Sequence, residues 1–359
     1  MFKKHLINLN RKRASAYAIR DDGLYLDRNE RVENYSEEII SKLSKSISKI
    51  HLNRYPELPP FYEKLSNWIN IPKDQIYVTE GVSGAIKSLM ETITSPGDNI
   101  VCPTPTFALY PVYSKMFQLE HREVSYLDNY ALNIELLLEK INDDTAIVFL
   151  PNPNIPISGT LDIHDLAMIA DHCQKTNTFL VIDEVYYPFG GPTAISLIEK
   201  YDNVFVIQSF SKAFGLASIR LGYILGSAHN IDYVSKTRTG YESNSVSICI
   251  ASFFIDNYSL IENYINQVKD GLNYLKGELD RNGIKYNGGE DGNYIYIDLG
   301  SKELSDQIVS ELRDKKIYIR GNWKGVFSKG VLVTGAPKNI SIKFFKEFIK
   351  IYKSSKNIK

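Results

Sequence analysis

Residues 203–226 read NVFVIQSFSKAFGLASIRLGYILG. The stretch opens on the apolar run Val204 to Ile207 and crosses a polar knot, Gln208-Ser209-Phe210-Ser211-Lys212. It leaves through Gly215, Arg220 and Gly222 into a second apolar run. β-Branched and aromatic runs on either side of a Ser/Gly cluster predict strand, tight loop, strand. The lysine falls at the turn, so buried neighbours hold its stem while its amine points into a cleft. Such an amine loses solvation, its neutral form is favoured, and it can attack a carbonyl to form a Schiff base. Ser209, Ser211 and Arg220 flank it, and two hydroxyls with a guanidinium suit a phosphate dianion.

Outward from this stretch, short apolar runs alternate with helical periodicity: Ile76 to Val78, Asn99 to Cys102, Ala146 to Leu150, Phe179 to Asp183 and Leu221 to Leu225. That alternation predicts an α/β fold, with a mostly parallel central sheet sandwiched by helices and ligands at the strand ends. Ser36 to Lys49 has helical spacing, and the proline-rich step Tyr55 to Pro60 starts another helix through Trp68. After Asn244 come longer helical segments, then strand patterns at Tyr294 to Leu299, Ile317 to Arg320 and Val331 to Thr334. The expected division is 1–40, an N-terminal arm and part of a small domain; 41–244, a large domain; and 245–359, a smaller α+β domain ending in a solvated basic tail from Tyr352.

Composition narrows the function classes. The 359 residues carry 42 Lys+Arg against 42 Asp+Glu. A balance of zero argues against nucleic-acid or acidic-membrane partners. No apolar run reaches bilayer length, and Met1 to Arg20 is basic without the apolar core of a signal peptide. Cys102, Cys173 and Cys249 lie far apart without Cys-x-x-Cys spacing, so neither a disulfide framework nor a metal site is expected, and a reducing cytoplasm fits. The histidines form no metal-binding motif, Ser83-Gly84 lacks a hydrolase elbow, and no Gly-x-Gly-x-x-Gly follows an early strand.

Other stretches add chemistry. Thr79-Glu80-Gly81-Val82-Ser83 leaves a strand and opens a helix, whose free N–H groups attract an anion. Val181-Ile182-Asp183-Glu184-Val185-Tyr186 ends a buried strand with two carboxylates and a phenol, and Phe107 follows Pro103-Thr104-Pro105-Thr106. The run Ser-x-Ser-Lys-x-x-Gly-Leu-Ala-x-x-Arg-x-Gly-Tyr, from Ser209 to Tyr223, resembles the lysine loop of the fold-type I, pyridoxal-phosphate-dependent aminotransferases. Within them it is most similar to the histidinol-phosphate aminotransferase group, and the resemblance runs from about Leu26 to Pro337.

That resemblance implies a fold-type I transferase with pyridoxal 5′-phosphate on Lys212, the catalytic lysine. Gly81, Val82, Ser83, Ser209, Ser211 and Arg220 hold the cofactor phosphate. Phe107 stacks on the ring, Asp183 keeps the pyridine nitrogen protonated, and Tyr186 reaches the phenolic oxygen. Tyr55, in Arg54-Tyr55-Pro56, reaches the phosphate site of a second subunit, which implies a homodimer. The activity expected is transfer of an amino group from a donor such as glutamate to a small phosphorylated keto compound. Decarboxylation of a phosphorylated amino acid, as in the threonine-phosphate decarboxylase relatives, is the alternative, and a catalytically silent cofactor-binding protein the third reading.

Three departures from the family pattern bear on cofactor and substrate. Ile155 falls where the loop Asn152 to Gly159 should, by the resemblance, supply a second asparagine donor to the cofactor's phenolic oxygen, leaving Asn154 or Tyr186 to serve. Val331 falls where the C-terminal strand should supply an arginine for the substrate α-carboxylate. The segment Leu26-Asp27-Arg28-Asn29-Glu30-Arg31 adds two arginines beside the substrate. Arg28, Asn29, Arg31 and Arg320 are therefore the expected substrate contacts.

Overall fold

The computed structural model describes residues 2–7, 9, 22–157 and 159–357, so most of the basic opening expected as an arm lies outside the described residues. The strands in chain order are β1 (Leu24–Leu26), β2 (Ile76–Thr79), β3 (Asn99–Thr104), β4 (Glu120–Ser125), β5 (Thr145–Pro151), β6 (Phe179–Asp183), β7 (Val204–Ser209) and β8 (Gly222–Leu225). They continue as β9 (Lys285–Gly288), β10 (Tyr294–Asp298), β11 (Ile317–Ile319) and β12 (Gly330–Thr334).

A seven-stranded sheet has the order β2-β8-β7-β6-β5-β3-β4. All its neighbours pair in parallel except β8, which runs against both β2 and β7. Its central strands are apolar on both faces because helices cover both. Val204 and Val206 of β7 enter one core cluster while Phe205 and Ile207 enter the other, and Leu180, Ile182 and Val181 of β6 divide in the same way. Each such side chain, fully buried, contributes about 1.5–3 kcal/mol. Helices Gly81–Ile93 and Leu109–Phe117 pack on the second face, and Pro59–Ile69 and Ile163–Lys175 on the first.

Reversal of β8 positions the site. Its first residue, Gly222, pairs with both Thr79 and Ser209, the last residues of β2 and β7. The loop 210–221 thus begins and ends at the edge where the parallel strands terminate, bringing Arg220 beside the start of helix Gly81–Ile93. This connection is longer than the tight loop expected and contains a 3₁₀ turn at Ala217–Ile219.

A smaller antiparallel sheet has the order β12-β10-β9, and β1 pairs in parallel with β11, Leu24 opposite Ile317. Strands β1, β4 and β9 escape the sequence pattern because they are short or polar at sheet edges; β4 reads Glu-His-Arg-Glu-Val-Ser. The expected solvated tail is corrected: helix Lys338–Asn357 runs through it, and Ile351 and Tyr352 are buried. No described helix is long and apolar enough to cross a membrane.

Candidate active site

A cavity of about 390 Å³ lies where the parallel strands end. Pro151, Asp183, Ser209 and Ser211 line one side, with Val82 and Ser83 at a helix start and Phe107 at the rim. Residues 27–30 and Arg320 close the opposite side, and Lys212 projects between them.

Lys212 is half-buried, and its Nζ donates to the carbonyl of Arg28 at 2.7 Å. Burial pushes the amine down to about 8; Glu30 opposes that, while the cations Arg220 and Arg320 add to it. The expectation of an amine with an accessible neutral form therefore has a geometric cause.

Around it stands an anion cup. Helix Gly81–Ile93 has no side-chain cap at its start, so its first N–H groups remain available to a ligand. Arg220 donates to the Glu80 carbonyl at 3.3 Å and to Ser83 Oγ at 3.0 Å. Its backbone is left-handed (φ 52°), which costs an arginine roughly 1–2 kcal/mol. Ser209 Oγ donates to Ser211 Oγ at 2.9 Å and accepts from the Ser211 N–H at 3.0 Å. Two glycines permit this closeness. A Cβ on Gly81 would lie 3.0 Å from the Arg220 guanidinium, and one on Gly222 would lie 2.9 Å from Gly81 itself.

Asp183 lies at the end of β6, and its neighbour Glu184 turns the other way. Tyr110 Oη donates to Asp183 Oδ2 at 2.6 Å and the Val185 N–H to Oδ1 at 3.1 Å. Burial raises the carboxyl to about 6, and both hydrogen bonds hold it lower than burial alone would. Glu184, raised to about 7 by burial, is tied by Ala194, Thr193 and Gln208 and does not line the cavity. Tyr110, fully buried, meets Phe107 edge-on at 6.2 Å. Sequence reasoning missed it, because one tyrosine on a helix signals nothing until the carboxylate beside it is known.

These groups fit a phosphorylated pyridine aldehyde: an anion cup, an amine, a flat apolar face at Phe107 and a buried carboxylate. The profile of the family described as aminotransferase class I and II matches residues 22–328. The chain belongs to that family. It is a fold-type I, pyridoxal-phosphate-dependent aminotransferase, as the loop from Ser209 to Tyr223 implied. The histidinol-phosphate aminotransferase of Caldanaerobacter subterraneus subsp. tengcongensis is 29% identical over 264 residues, 72% of this chain and 74% of the relative. That of Thermoanaerobacter sp. strain X514 is 28% identical over 311 residues, 86% of this chain and 83% of the relative. Among solved structures, the histidinol-phosphate aminotransferase of Sinorhizobium meliloti in complex with pyridoxal-5′-phosphate superposes with a TM-score of 0.84 at 18% identity, covering 92% of this chain and 90% of that one.

In this aminotransferase, one expected contact, Arg31, needs correction, and two others, Asn154 and Asn29, line the cavity with their side chains already bonded within the protein. Arg31 does not line the cavity: its guanidinium stacks over Tyr264 at 3.7 Å and Tyr35 at 4.2 Å, and its Nε donates to the Glu33 carbonyl. Asn154 lines the cavity but its amide is spent, donating to the Pro105 carbonyl and Tyr126 Oη while accepting from Thr106. Asn29 lines the cavity too, yet both ends of its side chain bond within the protein, to Tyr186 and Thr334. On β12, Val331 faces the main core opposite Ile297, whereas Leu332 joins Ile155 and Tyr186, both cavity-lining. Leu332 is thus the strand position on the cavity side, and neither residue carries charge.

Tyr55 lies away from this chain's cavity, 74% exposed and stacked on Tyr241 at 4.6 Å. Arg28, half-exposed, and Arg320 both line the cavity. The Arg320 guanidinium lies over Trp323 at 4.3 Å, and burial lowers its pKa against the pull of Tyr186 and Asp27. Asp27 and Glu30 add two carboxylates that sequence reasoning gave no role.

Proposed function

We propose that the protein moves an amino group between a donor, glutamate, and a small phosphorylated amine or its keto counterpart. One observation carries this reading. Of the cations lining the cavity, Lys212 and Arg220 belong to the lysine loop, and the other two, Arg28, 3.7 Å from Asp27, and Arg320, would meet a small-molecule anion. The names of the relatives, histidinol-phosphate aminotransferases, support a phosphate ester as that anion.

Gly81, Val82, Ser83, Ser209, Ser211 and Arg220 would hold the cofactor phosphate, Phe107 and Asp183 the ring, and Tyr186 the phenolic oxygen. Bound there, pyridoxal phosphate supplies an electron sink for the pair released at the amine-bearing carbon. Lys212 would serve as the acid–base group, its Nζ taking the proton from that carbon. Asp183, whose ionised form burial disfavours and its two donors support, would hold a positive charge on the ring nitrogen. Ile155, which lines the cavity, and Leu332, packed in the same cluster, are apolar and give an α-carboxylate no hydrogen bond from that side. Tyr55, exposed and stacked on Tyr241, would complete the phosphate site of a second copy in a homodimer. The division into 1–40, 41–244 and 245–359 belongs to this reading, supported by the pairing of β1 with β11. Free cysteines at 102, 173 and 249 are in keeping with the cytoplasm.

The test is a panel of phosphorylated and unphosphorylated amines, followed by the absorbance change that accompanies conversion of the cofactor to its amine form. Conversion is expected with glutamate and with phosphorylated amines, and not with the unphosphorylated counterparts of those amines. Carbon dioxide release without that conversion would replace transamination with decarboxylation, the reading that the uncharged β12 favours.

A further inference from the structure

We propose that Asn29 is a positioning residue that aims the Tyr186 hydroxyl into the cavity, doing through that hydroxyl what a donor at position 155 would do directly. The inference rests on the assignment of this cavity to pyridoxal phosphate.

The orientation of Asn29 follows from its bonds. It is 3% exposed and left-handed (φ 54°), a conformation asparagine tolerates. Its N–H donates to Thr334 Oγ1 at 2.9 Å, and that hydroxyl spends its own proton on Asn29 Oδ1 at 3.1 Å. The Asn29 carbonyl accepts from Asn293 Nδ2 at 3.1 Å. With Oδ1 committed to Thr334, Nδ2 faces Tyr186 and donates to its Oη at 2.9 Å. The tyrosine oxygen therefore accepts from behind, and its proton is directed to the cavity that Tyr186 lines.

No rival donor is at hand among the described neighbours. Ile155 is apolar, and the Asn154 amide is spent on Pro105 and Tyr126. The charged groups acting on Tyr186 are Arg320, just beyond β11, and Asp183 on β6. Tyr294 packs on its ring at 4.8 Å and keeps it from swinging away. A bond made between residues 157 apart in sequence thus joins the segment before the first long helix to the end of β6.

Asn29→Asp keeps the oxygen that Thr334 needs but turns the Tyr186-facing donor into an acceptor, so the tyrosine hydroxyl gives its proton to the introduced carboxylate instead. Asn29→Gly keeps the left-handed backbone and removes the amide, and it serves if the aspartate variant does not fold. The measurement is the pH midpoint of the visible absorbance of lysine-bound cofactor in the holoenzyme, with melting temperature recorded beside it. A proton donated to the cofactor's phenolic oxygen favours the deprotonated lysine–cofactor link, so losing it raises the midpoint. Tyr186→Phe and Asn29→Asp are each expected to raise it by about one pH unit, a tenfold change in protonation ratio. The double variant should move no further than Tyr186→Phe alone. Both Asn29 variants titrating like the parent while Tyr186→Phe shifts, or an additive double variant, would overturn the inference. An unshifted Tyr186→Phe removes Tyr186 from the site and this inference with it. A parent that forms no borohydride-reducible link would sink the cofactor assignment itself.

Discussion

The Lys212 amine rests on the backbone carbonyl of Arg28, 2.7 Å away and 184 residues earlier in the chain. The lysine loop and the segment after β1 are thereby two walls of one cavity. Tyr35, whose hydroxyl donates to the Phe214 carbonyl, fastens the same segment to the same loop.

Held there, the amine has a pKa of about 8 rather than 10.5, chiefly through burial. Protonation disables it as a nucleophile, so capture of pyridoxal phosphate by the apoenzyme should slow about tenfold per unit below pH 8 and level off above it. Stopped-flow absorbance would record this. A rate still climbing at about pH 9.5 would show an ordinary lysine, and Lys212→Ala should give no borohydride-fixed adduct.

Arg220 joins the helix start to the lysine loop through Glu80 and Ser83. Arg220→Ala is expected to weaken cofactor binding by about 10–100-fold, the worth of one charged hydrogen-bonding partner. Because Arg220 is exposed, the melting temperature of the apoenzyme should hardly change. Equal affinity in titrations of parent and variant would remove Arg220 from the phosphate cup.

Tyr110 donates to Asp183 and so stabilises its ionised form. Tyr110→Phe takes that donor away, and the carboxyl pKa rises further from about 6. Cofactor affinity that depends on the carboxylate should then fall away at higher pH than in the parent. Affinity measured from about pH 5 to about pH 8 tests this; coincident acid limbs would mean that the tyrosine only fills space.

Arg31 and Arg320 separate structure from recognition. Arg31→Ala forfeits contacts with two rings, each worth about 0.5–2 kcal/mol, and should lower the melting temperature while leaving KM within about twofold. Arg320→Ala should raise KM for a phosphorylated amine by about 10–100-fold, as loss of a charged partner does. The opposite pattern would return Arg31 to the cleft.

Much of the site was legible in the sequence. Lys212, Ser209, Ser211 and Arg220 lie within one loop, so their company is visible without a fold. Asp183 and Gly81 each follow an apolar run, and parallel strands deliver such ends to one edge. Sequence singled out Val331 on β12, but alternation sends neighbours to opposite faces, and only the fold shows that Leu332, opposite Tyr296, is the one packed with Tyr186. Arg28 and Arg31 looked alike in sequence, but backbone direction between them puts one at the rim and the other between two tyrosines.

The order of residues alone determined the chemistry: an amine, an anion cup and a carboxylate at strand ends, because each is encoded in a short contiguous pattern. Only tertiary structure decided how those groups are aimed. Tyr110 on Asp183, Asn29 on Tyr186 and Lys212 on Arg28 are contacts between distant segments, and no local periodicity records which buried polar group will satisfy which.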